Sequence, residues 1–117
     1  MASIDEINRF LKEFKRRLSM RGKFLFVLRD VNLATLSSLG ITVKHAKEII
    51  NNLTYEDYCL GPEKDKNDPK GNIWCFGSKI NGSEIYIKLS DHFSFDNAKC
   101  VSFHVACDKL TYPHKGH

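Results

Sequence analysis

The sequence predicts one small α+β domain over residues 1–117, in which N-terminal helices pack on one face of a small antiparallel β-sheet. Three observations predict this class: helical spacing of apolar residues over 3–18, a strand-turn-strand pattern over 73–89, and a further strand-like run over 99–105. A chain of 117 residues has the length of one domain. Its 8 Phe, 4 Tyr and 1 Trp supply a core to bury, which argues against disorder.

The first predicted element is an amphipathic helix over residues 3–18. Ser3 and Glu6 have the spacing of a capping box, in which each side chain accepts a hydrogen bond from the backbone N–H of the other residue. Apolar residues recur on one side of this helix: Ile4, Ile7, Phe10, Leu11, Phe14 and Leu18. Gly22 ends the pattern, as glycine commonly does beyond a helix C-terminus.

A short strand and two further helices are predicted in the rest of the N-terminal half. The apolar run over 23–28 favours a strand. Asn32 is predicted to cap a short helix that ends at Gly40, and Thr42 is predicted to cap the helix that follows. Residues 54–58 are predicted to add one more turn.

Two segments are predicted to lack regular structure. Residues 59–71 are polar and contain two prolines, so we expect a long surface loop of the kind that often carries function. A plain surface connection is the alternative interpretation of this segment. Residues 107–117 are expected to form a frayed C-terminal tail.

A β-hairpin is the strongest local signal in the chain. Asn81-Gly82 is the preferred pair for a two-residue type I′ turn, and strand-like runs flank it on both sides. Such a turn sets the register, which places Gly77 opposite Tyr86. One face of the hairpin is then apolar and is expected to contact the core: Trp74, Phe76, Ile85, Ile87 and Leu89. The other face carries Cys75, Gly77, Lys79, Glu84, Tyr86 and Lys88.

The last predicted strand covers residues 99–105. Its apolar residues share one parity, namely Val101, Phe103 and Val105. The other parity holds Cys100, Ser102 and His104. If the apolar parity contacts the same core as the hairpin, one polar face of the sheet carries Tyr86, Lys88, Ser102 and His104.

A tyrosine, a lysine and a histidine on an open sheet face can cleave RNA without a metal, because the ribose 2′-hydroxyl is itself the nucleophile. Histidine side chains commonly transfer protons near neutral pH, so His104 can act as a general acid or base. Lys88 can hold the phosphate as a positive charge, and Tyr86 can donate a hydrogen bond or stack on a base. Gly77, opposite Tyr86, is expected to leave room for a nucleotide.

The excess of positive charge lies in the N-terminal part of the chain. The net charge is +4, from 18 Lys and Arg against 14 Asp and Glu. Residues 1–30 contain the basic residues Arg9, Lys12, Lys15, Arg16, Arg17, Arg21, Lys23 and Arg29, against the acids Asp5, Glu6, Glu13 and Asp30. This imbalance favours a polyanion or an acidic protein as partner, and a solvated helix face is the alternative.

The composition also predicts a compartment. No apolar run approaches the roughly 18 residues of a membrane helix, and residues 1–10 lack the apolar region of a signal peptide. We therefore expect a cytoplasmic protein without a membrane partner. The four cysteines Cys59, Cys75, Cys100 and Cys107 have no C-x2-C spacing, so we expect reduced thiols, no metal site and no cofactor.

Residues 41–104 resemble the MqsR family of toxins from bacterial type II toxin–antitoxin pairs. Four short motifs carry the resemblance in order: Leu53-Thr54-Tyr55-Glu56-Asp57-Tyr58, Ile73-Trp74, Ile85-Tyr86-Ile87-Lys88 and Val101-Ser102-Phe103-His104. The Gly61-Pro62-Glu63 segment is similar to a subgroup of the family's more distant members. The resemblance implies a RelE-like fold and an endoribonuclease that cuts mRNA and slows growth.

The resemblance also implies site residues. A family tyrosine matches Tyr86, whereas a family lysine near the chain end is His104 here and a family glutamine is Cys75. A family loop lysine corresponds to Leu60, and Lys64 lies a few residues further on. Only the tyrosine therefore carries over directly.

Together these features predict a metal-independent mRNA endoribonuclease with four catalytic residues. His104 is the general acid or base, and Tyr86 orients the scissile phosphate or a base. Lys88 and Lys64 stabilise the charge on the phosphate. The expected products are a 2′,3′-cyclic phosphate and a 5′-hydroxyl.

The predicted partners are the mRNA, a cognate antitoxin and the ribosome. Lys79, Lys66 and Arg29 are assigned to contacts with the RNA backbone. The basic first helix is expected either to hold RNA or to bind an acidic antitoxin segment. Two alternatives to an endoribonuclease remain: a non-catalytic module that binds RNA or protein, and a thiol enzyme built on Cys75 and His104.

Overall fold

The computed structural model describes all 117 residues and confirms the α+β class. The helices and strands are α1 (Ile4–Leu18), β1 (Phe24–Phe26), α2 (Asp30–Leu39), α3 (Val43–Asn51), β2 (Tyr58–Lys64), β3 (Asn72–Ile80), β4 (Ser83–Ser90) and β5 (Ala98–Val105). Single 3₁₀ turns lie at Tyr55–Asp57 and Ser94–Asp96. None of the helices combines the length and the apolar character needed to cross a bilayer.

The five strands form one sheet in the order β1-β5-β4-β3-β2. The pairs β2–β3, β3–β4 and β4–β5 are antiparallel, and the last two of these pairs were predicted. Strand β1 instead pairs in parallel with β5, which makes the sheet mixed. Two helices and three strands separate β1 from β5 along the chain, and this long connection allows the parallel arrangement.

The helices pack on one face of the sheet and bury the main core there. The inner side of α1 supplies Phe10, whose ring stacks on that of Trp74 with centroids 4.6 Å apart. Phe14 on α1 and Phe76 on β3 are fully buried in the same cluster. The core therefore lies between α1 and the apolar face predicted for the hairpin.

The predicted helix ends are largely confirmed. Ser3 and Glu6 form the capping box of α1, and the Thr42 side chain caps α3. Gly40 ends α2 with a left-handed φ of 68°. The prediction that Asn32 caps α2 is wrong, because the helix begins at Asp30 and Asn32 lies fully buried inside its first turn.

The predicted loop over 59–71 is partly wrong, because residues 58–64 form strand β2. Pro62 suits this position since β2 is an edge strand, where a missing N–H leaves no partner unsatisfied. Two register shifts interrupt the pairing of β2 with β3 and hide the usual alternation of polar and apolar residues. Only residues 65–71 remain as a loop.

The hairpin has the predicted register. Gly77 faces Tyr86, and Cys75 faces Lys88. The Asn81 and Gly82 backbones have φ values of 50° and 83°, as a type I′ turn requires. The type I′ turn thus places Tyr86 and Lys88 on the face opposite the helices.

Strand β5 has a β-bulge that the sequence did not reveal. The pairing with β4 shifts by one residue between the pairs Lys88–Ser102 and Leu89–Cys100, so Val101 has no partner opposite it. The expected parity is therefore wrong at two positions: Cys100 lies in the core, and Val101 packs on the other face. Beyond the bulge, Ser102 and His104 stay on the face that was predicted for them.

Asn32 holds this bulge in place. Its side-chain amide donates hydrogen bonds to the carbonyl oxygens of Val101 (3.1 Å) and Val27 (2.9 Å). Its side-chain oxygen accepts one from the Phe103 N–H at 3.0 Å. One buried side chain thus satisfies backbone groups on both sides of the bulge and joins α2 to β5.

The C-terminal tail is ordered against the sheet, so the expectation of fraying is wrong. The backbone N–H of Leu110 and the hydroxyl of Tyr112 both donate to the Glu84 carboxylate, each at 2.9 Å. Further along, the His114 ring donates to the Ala2 carbonyl oxygen at 2.8 Å. These contacts join the C-terminal tail to β4 and to the N-terminal residues of the chain.

We expect Asn32→Ala to lower the free energy of unfolding by about 2–4 kcal/mol, because it removes the side-chain partner of one buried and two partly buried backbone groups. Chemical denaturation measures this change, and Asn67→Ala on the exposed loop is the control, with an expected change below about 0.5 kcal/mol. An Asn32→Ala protein as stable as this control would show that the bulge does not depend on the Asn32 side chain.

Candidate functional site

The candidate site lies on the face of the sheet opposite the helices. Tyr86 and His104 are direct cross-strand partners on β4 and β5. Their rings meet edge to face, with centroids 5.9 Å apart and an interplanar angle of 83°. The Lys88 Nζ lies 5.3 Å from the centre of the Tyr86 ring. Three of the four predicted catalytic side chains are therefore neighbours, and all three are half-buried.

Tyr86 stands over a buried thiol. Burial raises the pKa of Tyr86 above its usual value, and contact with the Cys75 thiol adds to this effect. The phenol consequently keeps its proton throughout the neutral range and acts as a hydrogen-bond donor. Such a donor can bind a phosphate oxygen but cannot remove a proton from a ribose hydroxyl.

His104 is oriented by its own strand. Its Nδ1 lies 3.0 Å from the carbonyl oxygen of Val105. A carbonyl oxygen only accepts hydrogen bonds, so Nδ1 carries the proton in this contact. In the neutral ring the lone pair is then on Nε2, which is the nitrogen left to accept a proton from a substrate.

A basic cleft of about 450 Å³ adjoins this row of side chains. Its basic lining residues are Arg29, Lys64, Lys66 and Lys88. Glu63 and Asp65 also line it, so the basic side chains outnumber the acidic ones by two. The cleft thus brings Lys64, predicted to be catalytic, together with two of the three residues that were assigned to the RNA backbone.

Arg29 is anchored in this cleft by the sheet. Its Nη1 donates to the Ser102 hydroxyl at 3.0 Å. Ser102 is only 2% exposed and pairs across the strands with Lys88. The bond therefore fixes one guanidinium nitrogen and leaves the remaining N–H groups of Arg29 for an anion. The sequence contains no local signal for this contact, because 73 residues separate its partners.

Lys79 lies outside the cleft, near the turn of the hairpin. It is exposed and pairs in register with Glu84. The side chains form no ion pair, because the Glu84 carboxylate is occupied by Leu110 and Tyr112 from the tail. Lys79 is thus separated from the other residues predicted to bind RNA.

The space expected beside Tyr86 is filled. Any side chain at Gly77 would collide with the hydroxyl of Tyr112 and with Leu110. Glycine is therefore required here by the packing of the tail, and the prediction of an open space for a nucleotide is wrong. Tyr112 was missed as a part of this face, because nothing in the sequence of the tail predicts which surface it covers.

The cysteines near Tyr86 are poor candidates for a nucleophile. Burial raises the pKa of the Cys59 thiol to about 12 and also raises the pKa of Cys75. A nucleophilic cysteine needs the thiolate form, which both environments disfavour. This geometry argues against the thiol enzyme that the sequence left open.

Comparisons with protein-family models, with curated proteins and with solved structures find no match for this chain. The resemblance of residues 41–104 to the MqsR toxins therefore stays a prediction. The functional interpretation rests on the geometry of the polar face and of the basic cleft beside it.

The tail should detach from the sheet in acid. The Leu110 N–H and, secondarily, the Tyr112 hydroxyl hold the pKa of Glu84 below its usual value. A lowered pKa means that the tail binds the charged form of the Glu84 carboxylate. The stability that this contact provides is therefore fully present above the usual pKa of glutamate, and it is lost as the pH falls through the lowered pKa of Glu84.

An acid titration followed by NMR measures this detachment of the tail through the amide chemical shifts of Leu110 and Tyr112. In Glu84→Gln we expect the detached form already at neutral pH, because the charge is absent. Amide shifts of the tail that are identical in Glu84→Gln and the wild-type protein at neutral pH would contradict the role of the carboxylate.

Proposed function

We propose that this protein is a metal-independent endoribonuclease that cleaves single-stranded RNA on the polar face of its sheet. The observation that carries the proposal is the grouping of Tyr86, Lys88 and His104 beside the cleft that contains Arg29 and Lys64. A general base, a neutral donor and fixed positive charges are the groups that this reaction requires.

The chemistry follows from the assigned atoms. His104 Nε2 accepts the proton of a ribose 2′-hydroxyl while the 2′-oxygen attacks the adjacent phosphorus. The bond from phosphorus to the 5′-oxygen breaks, and that oxygen takes up a proton from water. The protonated His104 then gives its proton to the hydroxide that is formed, which regenerates the neutral imidazole. Tyr86 donates a hydrogen bond to the phosphate, and Lys88 and Lys64 stabilise its extra negative charge. The products are a 2′,3′-cyclic phosphate and a 5′-hydroxyl end.

The biological role that fits this activity is that of a toxin in a type II toxin–antitoxin system, with mRNA as the substrate. This part of the proposal depends on the resemblance of residues 41–104 to the MqsR family. In such a system a cognate antitoxin binds the toxin. The free toxin would have access to mRNA that is being translated on the ribosome. Expression of the chain should then arrest growth, and the gene should lie beside one for a small DNA-binding protein.

Helix α1 is better placed for a protein partner than for the RNA substrate. Its inner side is buried against the core face of the sheet, so its basic outer side lies on the opposite side of the molecule from His104. RNA bound at Tyr86 does not reach that surface directly. An acidic segment of an antitoxin is therefore the partner we assign to it.

A non-catalytic RNA-binding module is the second candidate, and one contact favours it. The packing of Tyr112 against Gly77 fills space beside Tyr86 that a nucleotide undergoing cleavage would use. A module of this kind would hold RNA in the basic cleft and release it intact.

Cleavage of a labelled mRNA in excess EDTA decides between the two candidates. We expect cleavage to persist, and we expect His104→Ala and Tyr86→Phe each to reduce the rate by about 10²-fold or more, since they remove a proton-transfer group and a phosphate donor. His117→Ala, which alters an exposed histidine of the tail, is the control. Loss of cleavage in EDTA, or full activity of both site variants, would refute the proposed mechanism.

Salt dependence tests the cleft separately from the chemistry. Arg29→Ala and Lys66→Ala should each weaken RNA binding and reduce the slope of log Kd against log salt by about one, because each removes a phosphate contact. Lys79→Ala is the matched control, and we expect it to leave the slope unchanged since Lys79 lies outside the cleft. A smaller slope for Lys79→Ala than for the two cleft variants would place the RNA elsewhere.

A further inference from the structure

The turn between β4 and β5 exposes an aromatic ring on a strained backbone. Phe95 and Asp96 are consecutive non-glycine residues with positive φ values of 54° and 59°. A bulky residue in this region is an outlier, because its Cβ crowds the following carbonyl oxygen. The Phe95 side chain nevertheless stays outside the core, with 85% of the residue exposed.

Several contacts hold the turn in this conformation. The Lys23 Nζ donates to the Phe95 carbonyl oxygen at 2.9 Å. Arg17 stacks on the Phe93 ring, 3.9 Å from its centroid, and its Nε lies 3.5 Å from the Asp96 carboxylate. The ring of Phe95 takes no part in these contacts. Strain that the surroundings maintain around an unused aromatic side chain points to a role in binding.

The surroundings of Phe95 are basic. Lys23 and Arg17 contact its turn directly, and Lys99 follows at the start of β5. Of the two acids in the connection between β4 and β5, Asp96 is paired with Arg17, which also binds Glu13, and Asp91 accepts hydrogen bonds from Asn72 and Trp74. Lys23 and Lys99 are therefore the nearby cations that have no carboxylate partner. A single aromatic ring among cations suits a nucleobase with its phosphates, whereas a protein interface needs a wider apolar surround.

The turn also lies at the correct end of the sheet to extend the basic cleft. Residues 65–71, which adjoin the cleft, and the β4–β5 connection are at the same end, where the His92 ring contacts the Asp68 carboxylate. The Asp68–His92 contact thus joins the loop beside the cleft to the connection that carries Phe95. An RNA strand that leaves the cleft along residues 65–71 would pass onto this connection.

We propose that Phe95 is a stacking platform for a base of single-stranded RNA outside the cleavage site. This inference rests on the proposed function and extends it, because it assigns an RNA contact that lies beyond the catalytic group and the cleft. The stacked base lies several nucleotides from the scissile phosphate. The energy of this contact comes from the ring, so it does not depend on salt.

Fluorescence anisotropy with 2′-O-methyl RNA tests the proposal, since this RNA lacks the nucleophile and stays intact. We expect Phe95→Ala to weaken binding of a single strand of about 12 nucleotides by about tenfold or more, and to leave binding of one of about 4 nucleotides unchanged. The loss should be the same at low and high salt. Leu33→Ala, which shortens an exposed apolar side chain on α2, is the control.

Phe95→Gly separates binding from folding. Glycine tolerates the positive φ at this position, so we expect a higher Tm together with weaker RNA binding. In Phe95→Trp, RNA should quench the new exposed tryptophan, whereas Trp74 is 7% exposed and stays unaffected. Equal affinity of Phe95→Ala and the wild-type protein for the longer RNA would overturn the proposal.

The remaining outcomes separate this proposal from the proposed function. If the wild-type protein binds neither RNA, the proposed function fails and the platform fails with it. If the wild-type protein binds and cleaves RNA but Phe95→Ala and Phe95→Gly both bind RNA normally, only the platform is refuted. If Phe95→Ala binds RNA normally but no longer binds a protein partner, the platform is also refuted, and the Phe95 ring is assigned to that partner.

Discussion

The arrangement of the polar face depends on the bulge at Val101. Without it, the residues of β5 before the bulge would change faces, which would place Lys99 toward the core and Cys100 toward the polar face. The bulge lets both halves of the strand bury apolar side chains while Ser102 and His104 stay opposite Lys88 and Tyr86. Asn32 makes this possible, because its amide replaces the ladder hydrogen bonds that the bulge disrupts.

The polar face is less open than a simple alternation of residues suggests. Cys59, Ile73 and Cys75 form a second small apolar cluster there, and Leu110 and Tyr112 of the tail pack against it. Burial in this cluster, with the contact to Cys75, raises the pKa of Tyr86, and the tail covers the side of Tyr86 that faces Gly77. The tail thus acts on the candidate site through packing, although it supplies no group to the chemistry.

Local signals predicted most of the elements. The Asn81-Gly82 turn, the capping residues Ser3 and Thr42 and the end of α2 at Gly40 depend on backbone geometry within a few residues, and all are confirmed. The Asn81-Gly82 turn correctly placed Tyr86 and Lys88 on one face. The alternation expected along β5 placed His104 on the same face, although it was wrong at Cys100 and Val101.

The errors involve contacts between distant parts of the chain. Strand β2 was missed because its bulged pairing with β3 removes the alternation of polar and apolar residues. The bulge of β5 was missed because it depends on Asn32, which is 69 residues away from Val101. The position of the tail over Gly77 is equally distant in sequence. The cleft around Arg29 was recognised only as scattered charges, since the Ser102 hydroxyl that orients Arg29 gives no local pattern.

The two faces of the molecule offer separate positive surfaces, and we assign RNA to the polar face of the sheet. NMR titration of the ¹⁵N-labelled protein with uncleavable 2′-O-methyl RNA tests this assignment most directly. We expect amide shift changes along the cleft and at four residues of the polar face: Tyr86, Lys88, Ser102 and His104. Shift changes confined to the basic residues of α1 and α3, with the polar face unaffected, would contradict this assignment.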